Sequence, residues 1–315
     1  MTDNCALALK IDVDTLKGYR EGLPRLLDML KRRGIRASIF FSMGPDNSGK
    51  AVRRIFRRGF VSKMLRTRAP STYGLKTLLY GTLLPAPMIV ESDPGLLRRA
   101  VDEGHDCGVH AWDHVFWQDR LPSLSREAVR GQFARSMELF ERVSGTAPAC
   151  CAAPGWQTTP DALAVQDELG FAYCSDVRGT GPSLPRVFLP RMGGTTFRTP
   201  QIPSTLPTLD ELWGTDGLDA DTVNDRYLDL LEPGVNVHTI HTEMEGGAMS
   251  GVFEALLDAC LEGEMAFMTL REVLVEAEAA ATADGGAAPL PVSEVVMREI
   301  PGRAGTLAVQ QAAEG

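Results

Sequence analysis

Leu7-Ala-Leu-Lys-Ile-Asp-Val-Asp14 reads as a buried strand, Leu7 to Val13, that delivers two carboxylates at its end. Asp12 and Asp14 are two residues apart, so on a strand they point to the same face and can work on one substrate. The pattern repeats down the chain. A helix over Leu23 to Arg33, capped by Gly34, leads to a second strand, Ile35 to Phe41. Pro94 to Glu103 is a helix stopped by Gly104, His105 to Val109 a third strand, and Ser125 to Val143 a longer helix. Next come a strand near Ala149 to Ala152, a helix from Pro160 to Leu169 and a strand from Phe171 to Ser175. Residues 177 to 217, rich in Gly and Pro, are expected to form irregular strands and loops over the mouth of the fold. Order returns with a helix near Asp221 to Leu231, the strand Val235 to Ile240, a helix from Phe253 to Glu262, a short strand at Ala266 to Met268, and Thr269 as cap of a last helix. Repeated strand-helix units imply an α/β fold with a parallel sheet, closed or open, and active residues at the carboxyl ends of the strands.

The candidate polar residues obey that rule. Asp12, Asp14, His110, Asp176 and His241 all fall at or just after a predicted strand end, so the fold should gather them on one rim. His110-Ala-Trp-Asp-His114 follows the buried Cys107-Gly108-Val109 and sets two imidazoles four residues apart, the spacing of one turn on one helical face. Two histidines and one carboxylate make a three-ligand divalent-metal site that keeps an open position for water or substrate.

Length and composition bound the remaining choices. At 315 residues and 44% hydrophobic, the chain can bury one large α/β core or two smaller ones. Met1-Thr2-Asp3-Asn4-Cys5 offers neither a basic nor an apolar leader segment, so a cytoplasmic location is expected. The uncharged stretch from Thr77 to Val90 is broken by Gly81, Pro85 and Pro87 and falls short of the roughly 20 apolar residues a membrane-spanning helix needs. Six cysteines with no C-x-x-C pair, two of them adjacent at Cys150 and Cys151, read as reduced, packed thiols. No Gly-rich phosphate loop follows a strand.

A second feature stands apart. Lys50 to Arg68 holds Lys50, Arg53, Arg54, Arg57, Arg58, Lys63, Arg66 and Arg68 and no acidic residue, in a chain of net charge −9. Val52, Ile55, Phe56, Phe60, Val61, Met64 and Leu65 interleave with them, which makes a basic amphipathic segment suited to an anionic lipid surface. A solvated helix is the plain alternative. Nucleic acid is the rival partner, and the acidic remainder of the chain and the lack of a nucleic-acid module argue against it. The segment lies in an insertion from Gly44 to about Asp93, longer than a strand-helix connection requires.

The order Asp12-x-Asp14, His110-x-x-x-His114, Ala153-Pro-Gly-Trp156, Asp176 and His241 resembles the NodB-homology polysaccharide deacetylases, whose fold is a distorted seven-stranded β/α barrel. Within them, Phe40-Phe-Ser-Met-Gly-Pro-Asp-Asn47, Ser175-Asp-Val-Arg-Gly179, Gln201-Ile-Pro-Ser-Thr-Leu-Pro207, His241-Thr-Glu-Met-Glu-Gly246 and the stretch from Gly302-Arg303 to Gln311 resemble the subfamily that deformylates 4-deoxy-4-formamido-L-arabinose on undecaprenyl phosphate. The resemblance implies removal of a formyl group from a lipid-linked amino sugar at the cytoplasmic face of the inner membrane, a step in aminoarabinose modification of lipid A and resistance to cationic peptides such as polymyxin. It implies that Asp14, His110 and His114 ligate a divalent metal such as zinc, manganese, cobalt or nickel, that Asp12 is the base, and that His241 protonates the leaving nitrogen. Asp176 would orient an active-site group. Pro154, Gly155 and Trp156 would line the substrate, with Trp156 as a wall of the sugar pocket, while Trp112 and Trp117 could be core or lid residues.

His238 competes with His241 for the acid role and is assigned to packing or supporting hydrogen bonds. Family relatives commonly carry an arginine, paired with the catalytic carboxylate, where this chain has Ala152. Arg178 is the expected substitute. The expected organisation is one catalytic domain over residues 1–282 and a C-terminal extension over 283–315. Two other functions fit the same residues less fully: an N-deacetylase of another amino sugar, and a catalytically silent protein that binds the lipid carrier. A binder has no need of a base, three ligands and an acid together.

Overall fold

The structure, a computed structural model, describes residues 5–51, 76–179, 181, 183–282 and 289–312. In chain order its strands are β1 (Cys5–Val13), β2 (Ser38–Ser42), β3 (Asp106–Ala111), β4 (Cys150–Cys151), β5 (Tyr173–Cys174), β6 (Leu189–Met192), β7 (Thr195–Thr196), β8 (Gly234–His241), β9 (Ala266–Met268), β10 (Val292–Glu299) and β11 (Thr306–Ala312). Seven of them make a parallel sheet in the order β5-β4-β3-β2-β1-β8, with β9 also on β1. Along β1, β8 pairs from Cys5 to Asp12, and the opposite edge is shared between β9 at Ala6 to Ala8 and β2 at Lys10 to Val13. β1 is therefore the axis of the sheet.

Alternation along β1 explains both faces. Leu7, Leu9, Ile11 and Val13 join the large apolar layer that the helices Leu23–Arg32, Pro94–Asp102 and Arg126–Ser144 cover. Burial of each such side chain contributes about 1.5 to 3 kcal/mol. Ala8 points the other way, into a smaller cluster with Phe40, Cys150, Ala152, Tyr173, Ile202, Val237 and Met268. The same inner face continues through Lys10 and Asp12 towards Asp14.

Residues 200–206 do more than hang over the mouth. Cys174 N donates to Pro200 O at 2.8 Å, Ile202 N to Cys174 O at 2.9 Å and Ser204 N to Val177 O at 2.9 Å, while Thr205 N and Leu206 N donate to Val237 O at 3.0 and 3.1 Å. This segment spans from the β5 edge to the β8 edge and closes the sheet into a distorted barrel. Helix ends follow their sequence signals: Ser125 caps Arg126–Ser144, which stops at Gly145 with φ of 82°, and Thr269 and Glu272 form reciprocal bonds at the start of Leu270–Thr282.

The last described residues form a structure that is not among the elements expected from the sequence. β10 and β11 make an antiparallel hairpin, and β10 runs parallel to β6 in a second sheet ordered β11-β10-β6-β7. Arg178 N donates to Ala308 O, and Gln310 N to Arg178 O, both at 2.9 Å, so this hairpin is stitched to the segment that follows β5. The two described arms of the insertion also meet: Ile89 N donates to Gly44 O at 2.8 Å, Asp46 N to Pro87 O at 2.8 Å and Gly49 N to Tyr80 O at 3.0 Å. Arg53, Arg54, Arg57, Arg58, Lys63 and Arg66 lie outside the described residues.

Candidate active site

Asp14 follows the end of β1 and faces both histidines of the motif. Its Oδ1 is 3.3 Å from His110 Nε2 and its Oδ2 is 3.3 Å from His114 Nε2. The expected shared helical face is not how they meet. His110 lies within β3, and His114 is the first residue of the helix His114–Arg120. Between β2 and β3, Phe41 pairs with Val109 and Ser42 with Ala111, which leaves His110 as the extra residue of a bulge. A bulge re-aims one side chain without breaking the sheet, and here it leaves the two imidazole centroids 5.3 Å apart.

The stretch after β2 braces that turn. Met43 N donates to Ala111 O at 2.8 Å and Gly44 N to Trp112 O at 2.9 Å. A Cβ at Gly44 would stand 2.5 Å from Trp112 O, so only glycine permits the approach. Asp113 caps the helix by accepting from Phe116 N at 2.9 Å and takes a second bond from Asn47 Nδ2 at 2.6 Å.

Burial alone would push the Asp14 carboxyl up, but the charge of His114 and hydrogen bonds from His110 and His114 outweigh it and hold the group well below the usual carboxylate range. Burial likewise pulls His110 down, and the carboxylates of Asp12 and Asp14 more than offset that and raise it. One carboxylate oxygen and two imidazole nitrogens lie within 4.8 Å of one another, and His110 Nδ1 is buried without a hydrogen-bond partner. That donor set fits a divalent cation of borderline softness.

Asp12 and His241 are brought together by register. They are direct partners across β1 and β8, with Phe40 of β2 on the other side of Asp12. Asp12 is 4% exposed, its Oδ2 is 3.5 Å from Lys10 Nζ, and its Oδ1 has no hydrogen-bond partner. The cation beside Asp12 is thus Lys10, not Arg178. Arg178 is taken by other groups: Nη1 donates to Glu211 Oε1 at 2.7 Å and Nη2 to Leu206 O at 3.2 Å. Truncating one member of such a buried pair costs about 3 to 5 kcal/mol because it strands the other charge.

Asp176 is fully buried among amides. Its Oδ2 accepts from Gln166 Nε2 at 2.7 Å and Gln201 Nε2 at 3.3 Å, and burial pushes its carboxyl up. Beside it, Cys151 and Cys174 face each other across β4 and β5 with sulfurs 3.0 Å apart, so Cys151, Cys174 and Asp176 form a second group of close ligand atoms. Trp156 is 2% exposed, donates to Ser204 Oγ at 3.0 Å, and packs with Leu307 and Val309 of β11. The guanidinium groups of Arg178 and Arg303 lie 4.8 and 4.5 Å from its ring centre. It is enclosed beneath the site, and of Pro154, Gly155 and Trp156 only Gly155 is partly exposed. Trp117 is buried, and Trp112 packs partly buried against the main core.

His238 is buried within β8, 4.5 Å from the Tyr227 ring, and burial, helped by the charges of His241 and Arg178, lowers it to about 3. It stays neutral. Two acids next to His241 were missed from sequence. Glu243 accepts from Thr15 N at 2.8 Å and Thr15 Oγ1 at 2.7 Å, and Glu245 accepts from His241 N at 2.8 Å. Burial raises each to about 8, aided at Glu243 by the charge of Asp14. Their spacing in His241-Thr-Glu-Met-Glu245 is the only sequence signal for them, and it does not reveal that the loop folds them inward.

Residues 11–174 match the sequence profile of the polysaccharide deacetylase family. A probable 4-deoxy-4-formamido-L-arabinose-phosphoundecaprenol deformylase ArnD of Shewanella sediminis is 37% identical over 96% of this chain and 94% of its own length. Its counterpart of the same name in Wigglesworthia glossinidia brevipalpis is 29% identical over 93% of this chain and 98% of its own. Among solved structures, a peptidoglycan N-acetylglucosamine deacetylase shares the fold with a TM-score of 0.52 at 17% identity, over 86% of this chain and 88% of that one.

Proposed function

Because the chain belongs to the polysaccharide deacetylase family and, within it, to the 4-deoxy-4-formamido-L-arabinose-phosphoundecaprenol deformylases, we propose that it hydrolyses the formamide of 4-deoxy-4-formamido-L-arabinose carried on undecaprenyl phosphate. The reaction belongs to aminoarabinose modification of lipid A and hence to polymyxin resistance. The observation that carries this reading is the pairing of Asp12 with His241 across two strands, beside Asp14, His110 and His114.

Asp14, His110 and His114 would hold the divalent cation, with zinc, manganese, cobalt and nickel as the candidates. When bound, the cation polarises the formyl oxygen and acidifies water. Asp12 Oδ1, unpartnered and on the inner face, takes a proton from the attacking water as its oxygen adds to the formyl carbon. His241 gives a proton to the sugar nitrogen as the carbon-nitrogen bond breaks, and formate and the free amine leave. Glu245 holds the backbone of His241 at its nitrogen and so fixes where the imidazole starts.

The insertion is the part proposed to meet the membrane. Its described end exposes Leu79, Leu83 and Leu84, with Leu83 81% exposed, and these residues follow the basic run in the sequence. Exposed leucines in the same insertion as a run of basic residues suit an anionic inner leaflet and a polyprenyl phosphate. No helix among the described residues is long and apolar enough to cross a membrane, which is compatible with peripheral attachment.

Incubating metal-loaded protein with matched formamido and acetamido lipid-sugars tests the reaction: formate should accumulate and acetate should not. Preferential release of acetate would make it an N-deacetylase, and release of neither would make it a carrier-binding protein.

A further inference from the structure

Lys10 is among the largest side chains with no exposure, although it sits in mid-strand. Leu9 and Ile11 on either side belong to the apolar layer under the helices, so Lys10 points into the barrel, on the face of Asp12. Its surroundings there are Phe40, whose ring centre is 5.9 Å from Nζ, and Trp156, at 5.2 Å. A leucine would fill that interior at no desolvation cost, whereas a buried ammonium needs a specific partner. Nζ has two: the Ser175 carbonyl at 3.1 Å and Asp12 Oδ2 at 3.5 Å. Ser175 ties it to the strand end after β5, at the opposite edge of the sheet from β8.

The two oxygens of Asp12 are thereby made unequal. Oδ2 faces the ammonium, and Oδ1 is buried with no hydrogen-bond partner. Ala152, small and uncharged, lies in the same inner cluster as Phe40 and offers Asp12 no charge. Arg178 and Arg303, the other cations close to Trp156, are both paired with Glu211.

We propose that Lys10 is the positioning residue of Asp12, anchoring Oδ2 so that Oδ1 alone is presented to the attacking water. The proposal rests on the deformylase reading and deepens it. Lys10 touches no reacting atom; it acts through the carboxylate. Removing such a supporting partner lowers turnover by about 10- to 100-fold.

The test compares Lys10→Met and Lys10→Arg in the full-length, metal-loaded protein by formate release, with metal content and folding measured alongside. Lys10→Met should lose about 10- to 100-fold in kcat, with KM within about twofold of wild type and metal content unchanged. Lys10→Arg, which restores a cation, should recover most of that loss. On an Asp12→Asn background the Lys10→Met change should alter the residual rate by less than about twofold, because its target is gone. Should Lys10→Met fail to fold, Lys10→Gln takes its place, since it keeps a donor for Ser175 without the charge. A kcat within about twofold of wild type for the uncharged variant overturns the proposal, as does an equal loss on the Asp12→Asn background. Wild-type protein that releases no formate would instead sink the parent reading.

Discussion

Among the described residues, ligand-type side chains gather at two places inside one barrel, and they differ in what compensates burial. Asp14, His110 and His114 face a carboxylate to two imidazoles, and the interaction holds Asp14 ionised against desolvation. Cys151, Cys174 and Asp176 are all buried, with no cation bonded to the sulfurs; burial pushes Cys151 well up and Cys174 up to about 12. Gln166 and Gln201 satisfy one oxygen of Asp176 with neutral donors. A metal needs deprotonated ligands; Asp14 is held ionised while burial keeps the two thiols protonated, so the first group suits a cation better than the second. Nearness of donors is common to both. An opening to solvent, through Asp14 and His114 at 16% and 18% side-chain exposure, belongs to the first alone.

The sharpest way to break this contrast is to truncate one member of each group. His110→Ala should remove stoichiometric metal binding and reduce formate release by more than about 10³-fold, as loss of metal assistance demands. Cys174→Ala should leave metal content unchanged and activity within about threefold, at a cost of about 1 to 2 kcal/mol in denaturant unfolding for a small buried side chain. A Cys174→Ala protein that loses its metal would reverse the assignment.

A smaller effect separates base from ligand within the first group. Asp12→Asn should keep bound metal but lose about 10²- to 10⁴-fold in kcat, the range for a positioned proton acceptor. Metal loss in parallel with activity would make Asp12 a ligand.

Much of this was legible in the chain. The apolar run ending in Asp12 and Asp14 placed the central strand within two residues at its start and at its true end, and Pro160–Leu169 and Ala266–Met268 were read with their observed bounds. The histidine pair was recognised, but not its geometry, because a four-residue spacing fits one helical turn and equally a bulge that runs into a turn. Lys10, a lone lysine in an apolar run, carries no mark in the sequence of which carboxylate it will meet. Nearness in sequence points Arg178 at Asp176, and no local pattern shows that Glu211, 33 residues on, claims it. The β10–β11 hairpin left a signal in Val292 to Met297 and in the turn of Pro301, Gly302 and Gly305; its partner β6 lies a hundred residues earlier, beyond the reach of local pattern.

The smallest expected effect concerns the loop that carries His241. Glu245 has a folded value of about 8 against an ordinary 4.5, so the fold holds it neutral while the unfolded chain ionises it. Its contribution to stability is fully present below about pH 4.5 and is lost as the pH rises through about 8. Glu245→Gln removes that loss, so its melting temperature should gain on the wild type between pH 5 and pH 8. A difference that stays constant over that range would show that Glu245 does not titrate there.

The central claim is that one cation, held by Asp14, His110 and His114, serves hydrolysis by Asp12 and His241. Its most direct test is to add a divalent cation stepwise to chelator-treated protein and follow formate release from the formamido-arabinose lipid. The account predicts no release without the cation and a rate that saturates at about one equivalent per chain. Release that persists after the cation is removed, or that saturates only when a second equivalent binds, would contradict it.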